Sequence, residues 1–336
     1  MKQYIEPITN RQNLSAAQTA EVFKKLVTGE MDPIEISALL IALRTKGECP
    51  DEITGAAKAL RECAAPFDRP TYDFADSCGT GGDGAHTINV STAAAVVAAG
   101  MGIPVAKHGN RSISSKCGSA DVFENLGVKI DADAATSRKC LDEAGICFLF
   151  APAYHAGLRH AGPIRQKLGM RTMMNLLGPL VSPAAPTHQV MGVYDPTLCT
   201  TLAEVFRALG TKSALVVHGS GLDEIAIHGS TTCALLKDGK VDTFDISPQD
   251  AGLKSFYLED IRGGEPEVNT RIVLDILGGK GNDAHNAAVA INAGALAWIF
   301  GKTSDFKSGV SLAMETIAGG DSLRIVEKFR ELSNGA

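Results

Sequence analysis

DSCGTGGDGAHTINVSTAAAVVAAGMGIPVAKHGNRSISSKCGS, residues 76–119, decides how the rest of the chain is read. A short strand expected at 72–77 leads into Gly79-Thr80-Gly81-Gly82-Asp83-Gly84. Asn89-Val90-Ser91-Thr92 then opens an Ala-rich helix that the pattern carries to about residue 101, with Ser91 and Thr92 as capping residues. A second short strand, 103–106, ends in a loop that begins Lys107-His108-Gly109-Asn110-Arg111 and continues through Ser112, Ser114 and Ser115. Each piece offers groups that bind anions. Glycines free backbone N–H groups to face a ligand, a helix start carries partial positive charge, and Lys107, Arg111 and Lys116 carry full charge. One phosphate needs one such piece; three in succession point to a ligand with several phosphates.

Gly79, Gly81 and Gly84 also satisfy G-x-G-x-x-G, the dinucleotide fingerprint. That fold opens its helix inside the motif and places an acidic residue about 20 positions on. Here the helix starts near Ser91 and the second strand delivers Lys107, so the spacing argues against it. No G-x-x-x-x-G-K-[ST] loop occurs.

Working outward, residues 1–66 read as three short helices. Ser15 with Gln18 forms a capping box, Asp32-Pro33-Ile34-Glu35 forms a second, and Ile36, Leu39, Leu40 and Leu43 recur at helical spacing. A third helix is expected over 51–64. So small a helical piece needs another surface to pack on, either the rest of the chain or a second copy. From residue 72, strands alternate with helices, and ICFLFA at 146–151 is apolar throughout, as in a strand buried on both faces. The expected fold is α/β: a small all-helical domain and a larger domain with a mainly parallel central sheet. Residues 154–183 interrupt the alternation with a basic helical stretch containing Arg159, Arg165, Lys167 and Arg171. LLKDGKVDTFDI reads as a hairpin, and Asp223-Glu224 follow an apolar strand and a Gly-rich turn. Adjacent carboxylates there suit Mg²⁺, which takes hard oxygen ligands.

Composition narrows the class. With 336 residues, 45% hydrophobic and 21% charged, the chain is ordinary for a globular protein of two domains. Aromatics are only 5%, so Ala, Leu, Val and Ile must fill the core. A net charge of −6 argues against a nucleic-acid binder. Eight cysteines occur without C-x-x-C or zinc spacing, the pattern of reduced thiols in a cytosol. The start, MKQYIEPITN, has no apolar signal core, and no run has the length of a membrane span. A soluble, cytoplasmic protein is expected.

GTGGDG, NVST and KHGNRSISSKCGSAD together resemble the anthranilate phosphoribosyltransferase family, and the resemblance extends over almost the whole chain. It implies a helical domain of residues 1–66 joined by helices from about 154–185. It also implies a large domain of 71–153 and 186–336, and a homodimer through the helical part. It implies transfer of a phosphoribosyl group from 5-phosphoribosyl 1-diphosphate to the amino group of anthranilate. In that reading Gly79, Gly82, Asp83, Thr87, Asn89, Val90, Ser91, Thr92, Lys107, His108, Gly109, Asn110, Arg111, Ser112, Ile113, Ser114, Ser115 and Ser119 hold the donor. Gly79, His108, Asn110 and Arg165 hold anthranilate, while Ser91, Asp223 and Glu224 bind Mg²⁺, two ions per monomer. No side chain is assigned as general acid or base, because an aromatic amine has a free lone pair at neutral pH.

The family pattern is broken at Ile88, Met173-Met174 and Val181-Ser182, where Phe, Ile-Phe and Thr-Asn are expected. These positions adjoin the acceptor region and bear on acceptor range. A pyrimidine nucleoside phosphorylase shares a looser version of the motifs but carries a further C-terminal domain. A non-catalytic relative that binds nucleic acid conflicts with the acidic balance.

Overall fold

A computed structural model of the chain describes residues 1–112 and 116–335. Ile113, Ser114 and Ser115 of the expected donor loop lie outside the described residues.

The N-terminal region contains four helices rather than three: α1 (Lys2–Thr9), α2 (Ala16–Thr28), α3 (Pro33–Lys46) and α4 (Pro50–Glu62). Both expected capping boxes form. Ser15 Oγ accepts from Gln18 N at 3.2 Å and Gln18 Oε1 accepts from Ser15 N at 3.0 Å. Asp32 Oδ1 accepts from the N–H groups of Ile34 and Glu35, and Glu35 Oε2 accepts from Asp32 N at 3.1 Å. The unanticipated α1 carries Pro7 within it, yet Tyr4 and Ile8, four residues apart, are both buried. Tertiary packing of that pair overrides the helix-breaking residue.

Among the described residues seven strands form one sheet: β1 (Ala75–Gly79), β2 (Val105–Gly109), β3 (Ile146–Phe150), β4 (His188–Gly192), β5 (Ser213–Gly219), β6 (Thr231–Lys237) and β7 (Lys240–Ile246). Their order is β3-β2-β1-β4-β5-β6-β7. The first five run parallel, and β6 and β7 are antiparallel additions. The hairpin between β6 and β7 turns on Asp238 and Gly239, both at positive φ (50° and 74°), as a two-residue turn requires. Two strand positions differ from the sequence reading. β1 begins at Ala75 rather than at 72 and runs on to Gly79, and β2 runs to Gly109. Lys107 and His108 are therefore strand residues, not loop residues. The neighbouring strands set these limits: Lys107 pairs in register with Phe148 of β3, and Gly79 with Gly192 of β4.

The remaining helices are α5 (Val90–Gly100), α6 (Ser119–Asn125), α7 (Ala134–Ala144), α8 (Ala151–Tyr154), α9 (Gly162–Leu168), α10 (Met174–Leu177), α11 (Leu198–Ala208), α12 (Pro266–Leu277), α13 (Asp283–Ile299), α14 (Phe306–Gly319) and α15 (Ser322–Ser333). Side chains alternate across each strand, so the sheet separates two cores. Val190, Leu215, Val217 and Cys233 face one core with α5, α7 and α12–α15. Met191, Ala214, Val216 and Ala234 face the other, with α1–α4, α10 and α11. The N-terminal helices and the 161–181 segment thus share one apolar cluster with a face of the sheet, bridged by Leu202 and Phe206 of α11. α5 is buried along nearly its whole length, and its alanines let α13 approach closely. Among the described residues no helix is long and apolar enough to cross a membrane.

Candidate active site

The chain leaves β1 for β2 and β3 on one side of the sheet, then returns to β4 and β5 on the other. The crevice at the carboxyl ends of β1 and β4 is therefore a topological switch point, the usual ligand position in such sheets. The glycine loop leaves β1 there. The segment after β5, containing Asp223 and Glu224, crosses directly over it. Gly79 and Gly192, partners at the ends of β1 and β4, make the crossing possible. A Cβ on Gly192 would lie 1.5 Å from Asp223 O, and one on Gly79 would lie 2.1 Å from Asp223 Oδ2.

This crossing brings two expected site pieces into contact. Asp223 Oδ2 accepts from Gly81 N at 2.6 Å, and Glu224 Oε1 accepts from Ser91 N at 3.1 Å. Helix α5 starts at Val90 with Asn89 as its N-cap, so Ser91 and Thr92 sit inside the first turn rather than capping it. The Ser91 N–H is thereby directed at a carboxylate. Burial, and then the neighbouring Asp83 charge, push the Asp223 carboxyl well above its ordinary range. Burial and then Asp223 do the same for Glu224, while Lys107 acts in the opposite direction. Converging buried carboxylates of this kind suit a divalent cation with hard oxygen preferences. Among the described residues no three His, Cys, Asp or Glu side chains form a closed metal cage. Mg²⁺ does not need one, since it typically takes one or two carboxylates and fills the rest with water and substrate phosphate.

Lys107 is 1% exposed and donates from Nζ to Ser77 O at 2.5 Å. It sits below the crevice. Burial raises the carboxyl of Asp76 to about 6, and the Lys107 charge limits that rise. Asp76 also accepts from Ser77 N at 2.7 Å.

The basic loop is arranged differently. Arg111 makes a two-pronged pair with Glu124 of α6, at 2.7 and 2.9 Å, and also bonds Asp121 at 3.0 Å. Lys116 pairs with Glu265 at 2.9 Å. Asn110 Oδ1 accepts from Arg111 N, and Ser119 Oγ donates to Asn110 O at 3.4 Å. Asp121 Oδ2 accepts from Gly118 N at 2.7 Å and from Ser112 N at 3.4 Å.

On the helical side, His108 Nδ1 lies 3.2 Å from Gly178 O, which can only accept, so Nδ1 carries the proton. Nε2 is then a buried lone pair without a partner among the described residues. Burial, and then His155, lower the His108 pKa to about 3, so the ring stays neutral. Arg165 on α9 is half-buried, its pKa lowered by burial, and it makes no ion pair among the described residues. Of the departures from the family pattern, Met173, Met174 and Val181 are buried in the helical-side core, and Ser182 is buried with its hydroxyl unpartnered among the described residues. Their first effect is on packing.

Three contributors were not read from the sequence. Arg171 was noted only as a basic residue. Its guanidinium donates to Gly82 O and lies 4.1 Å from the Tyr194 ring centroid. Asn269 of α12 is 2% exposed; it donates to Asn89 Oδ1 at 2.7 Å and accepts from Gly264 N at 2.7 Å. Asn89 in turn donates to Cys117 O at 3.1 Å, linking the helix start to the second loop. Gly192 is the third. A glycine within the apolar run Val190-Met191-Gly192-Val193 was the available signal.

Comparison with known proteins agrees with this geometry. Residues 71–323 match the model of the glycosyl transferase family a/b domain, and residues 2–64 that family's helical bundle domain. A protein of Sorangium cellulosum, an anthranilate phosphoribosyltransferase, is 54% identical over 96% of this chain and 92% of its own length. The crystal structure of anthranilate phosphoribosyltransferase from Thermus thermophilus has a TM-score of 0.94 at 38% identity, covering 99% of each chain. The Saccharomyces cerevisiae enzyme in complex with PRPP and Mg has a TM-score of 0.90 at 28% identity, covering 99% of this chain and 98% of its own. The chain belongs to the glycosyl transferase family that joins a helical bundle to an α/β domain, and within it to the anthranilate phosphoribosyltransferases.

Proposed function

We propose that the chain transfers the 5-phosphoribosyl group from 5-phosphoribosyl 1-diphosphate to the amino group of anthranilate. The amine nitrogen forms a bond to C1 of the ribose, the C1–O bond breaks, pyrophosphate leaves, and the amine proton passes to solvent. The observation that carries the reading is the contact of Asp223 and Glu224 with the N–H groups of Gly81 and Ser91 at the switch point.

In this reading Asp223, Glu224 and Ser91 hold Mg²⁺, as two ions per monomer. Bound there with the diphosphate, the metal neutralises charge on the leaving group. The residues of the chain do the rest. Gly79, Gly82, Asp83, Thr87, Asn89, Val90, Ser91 and Thr92, with Lys107 to Ser115 and Ser119, hold the diphosphate, ribose and 5-phosphate of the donor. Arg165 pairs with the anthranilate carboxylate, for which a planar guanidinium is suited. Gly79, Asn110 and neutral His108 orient its amine. Catalysis is then positioning and leaving-group stabilisation. Residues 1–66 with 154–185 act as a helical domain against the α/β body. A homodimer forms through the helical surface, where Ile34 is 80% exposed. The protein works in the cytoplasm.

The test follows anthranilate fluorescence with the protein, 5-phosphoribosyl 1-diphosphate and Mg²⁺. A decay that needs all three, and stops on chelation, is expected. Fluorescence that holds steady with all three present would refute the acceptor. Arg165→Ala should raise the KM for anthranilate far more than it lowers kcat. Light scattering at micromolar concentration tests the dimer, and a monomer mass would remove it.

A further inference from the structure

α13 is an almost wholly apolar, alanine-rich helix buried along most of its length, and Asn292 is fully buried within it. A carboxamide in such a place is costly unless its hydrogen bonds are made. Asn292 makes three. Oδ1 accepts from Ile225 N at 3.0 Å, and Nδ2 donates to Ile225 O at 3.3 Å and to Ala288 O at 2.9 Å. One side chain thus grips both polar groups of a single peptide position, immediately after Asp223-Glu224. The next residue is held as well: Ala226 N donates to Thr231 Oγ1 at 3.0 Å, and Thr231 is fully buried at the start of β6. Before the carboxylates, Gly219 and Leu222 exchange backbone hydrogen bonds, each 3.0 Å, which closes the turn out of β5. Asp223 and Glu224 therefore lie between a closed turn and a doubly clamped peptide.

We propose that Asn292, assisted by Thr231, is a positioning residue for the Asp223–Glu224 pair, fixing the backbone of 225–226 so that both carboxylates are preset to receive a divalent cation. The inference rests on the reading that this pair binds the metal. Asn292 touches no substrate, and its effect passes through the backbone. A purely structural Asn292 would tie α13 to the sheet with no consequence for metal affinity.

Mn²⁺ serves as the probe, its free-ion paramagnetic signal followed during titration of full-length protein with inorganic pyrophosphate present. Asn292→Ala should weaken Mn²⁺ binding about tenfold, the scale of outer-shell substitutions around metals. Thr231→Val should weaken it in the same direction by a smaller factor. Asn286→Ala, on the same helix, removes a side chain that bonds Gly281 O just before the helix start. It should leave Mn²⁺ binding unchanged even if the melting temperature falls. Wild-type Mn²⁺ affinity in both Asn292→Ala and Thr231→Val would overturn the proposal, whatever their melting temperatures. If Asn292→Ala does not fold, Thr231→Val decides alone. Wild-type affinity in the double variant Asp223→Asn, Glu224→Gln would instead remove the metal reading itself, and this proposal with it.

Discussion

The loop after β1 and the loop after β2 look equivalent as sequence, each a Gly-containing anion site near the start of a helix. Folded, they work by different means. The first is built from backbone N–H groups and buried carboxylates, held by contacts from β4, β5 and α13. The second carries the cations, and each described cation is already engaged. Lys107 lies under the sheet end near Asp76, Arg111 is paired with Glu124 and Asp121, and Lys116 with Glu265. Counting basic residues therefore overstates the free positive charge at the second loop. A donor phosphate arriving there would have to compete with α6 for Arg111, whereas a metal–diphosphate arriving at the first would find carboxylates whose own repulsion it relieves.

The strongest challenge to that contrast is the double substitution Asp223→Asn, Glu224→Gln. It should lower turnover at least about a thousandfold, or ~4 kcal/mol of barrier. The metal-free melting temperature should hold or rise, because two buried like charges are removed. Retained turnover would mean that the first loop does not depend on its carboxylates. Lys107→Met should come next. It leaves Ser77 O without the buried ammonium that donates to it and takes away the charge that limits the rise at Asp76, a loss of about 1–3 kcal/mol, readable in urea unfolding near neutral pH. An unchanged midpoint would show that Lys107 is not the counter-charge for Asp76.

The pH dependence of stability is a smaller effect. Asp76 has its folded pKa raised from 3.8 to about 6, mainly by burial. The folded state thus holds a proton that the unfolded state releases. The associated stability is present below the unfolded value and is lost as pH rises through about 6. A rise of about two pKa units corresponds to ~3 kcal/mol at most. Asp76→Asn should flatten the urea midpoint between pH 4 and 7, and an unaltered pH slope would reject the assignment. Mildest of all, Glu124→Gln should change stability by less than about 1 kcal/mol, because the pair is half exposed. It should release Arg111 and lower the KM for 5-phosphoribosyl 1-diphosphate about twofold at low salt, with the difference fading as salt is added. A raised KM would mean that Glu124 orients Arg111 rather than competing for it.

Local signals carried much of the fold. The capping boxes at Ser15 and Asp32, the Asp-Gly hairpin and the alternation after residue 72 all follow from short-range chemistry, and all appear as read. The displaced ends of β1 and β2 do not, since pairing with β3 and β4 fixes them. α1 was missed because Pro7 reads as a breaker while Tyr4 and Ile8 find their partners elsewhere in the chain. At the site, Asp223 and Glu224 could be singled out by their place after an apolar strand. Asn269, Asn292 and Gly192 could not. Their importance lies in distant backbone; a glycine within the run Val190-Met191-Gly192-Val193 was the one local sign, and it does not say which segment crosses there.

Gly192 has a further consequence. It carries no functional group and is expected to touch no ligand, yet a methyl group there collides with the main chain of Asp223. One nucleotide change in any glycine codon gives alanine. In a saturation screen scored by turnover of anthranilate, this codon should tolerate no alternative and rank beside the carboxylates. A screen read without the structure would list it as catalytic, when what selection preserves there is empty space.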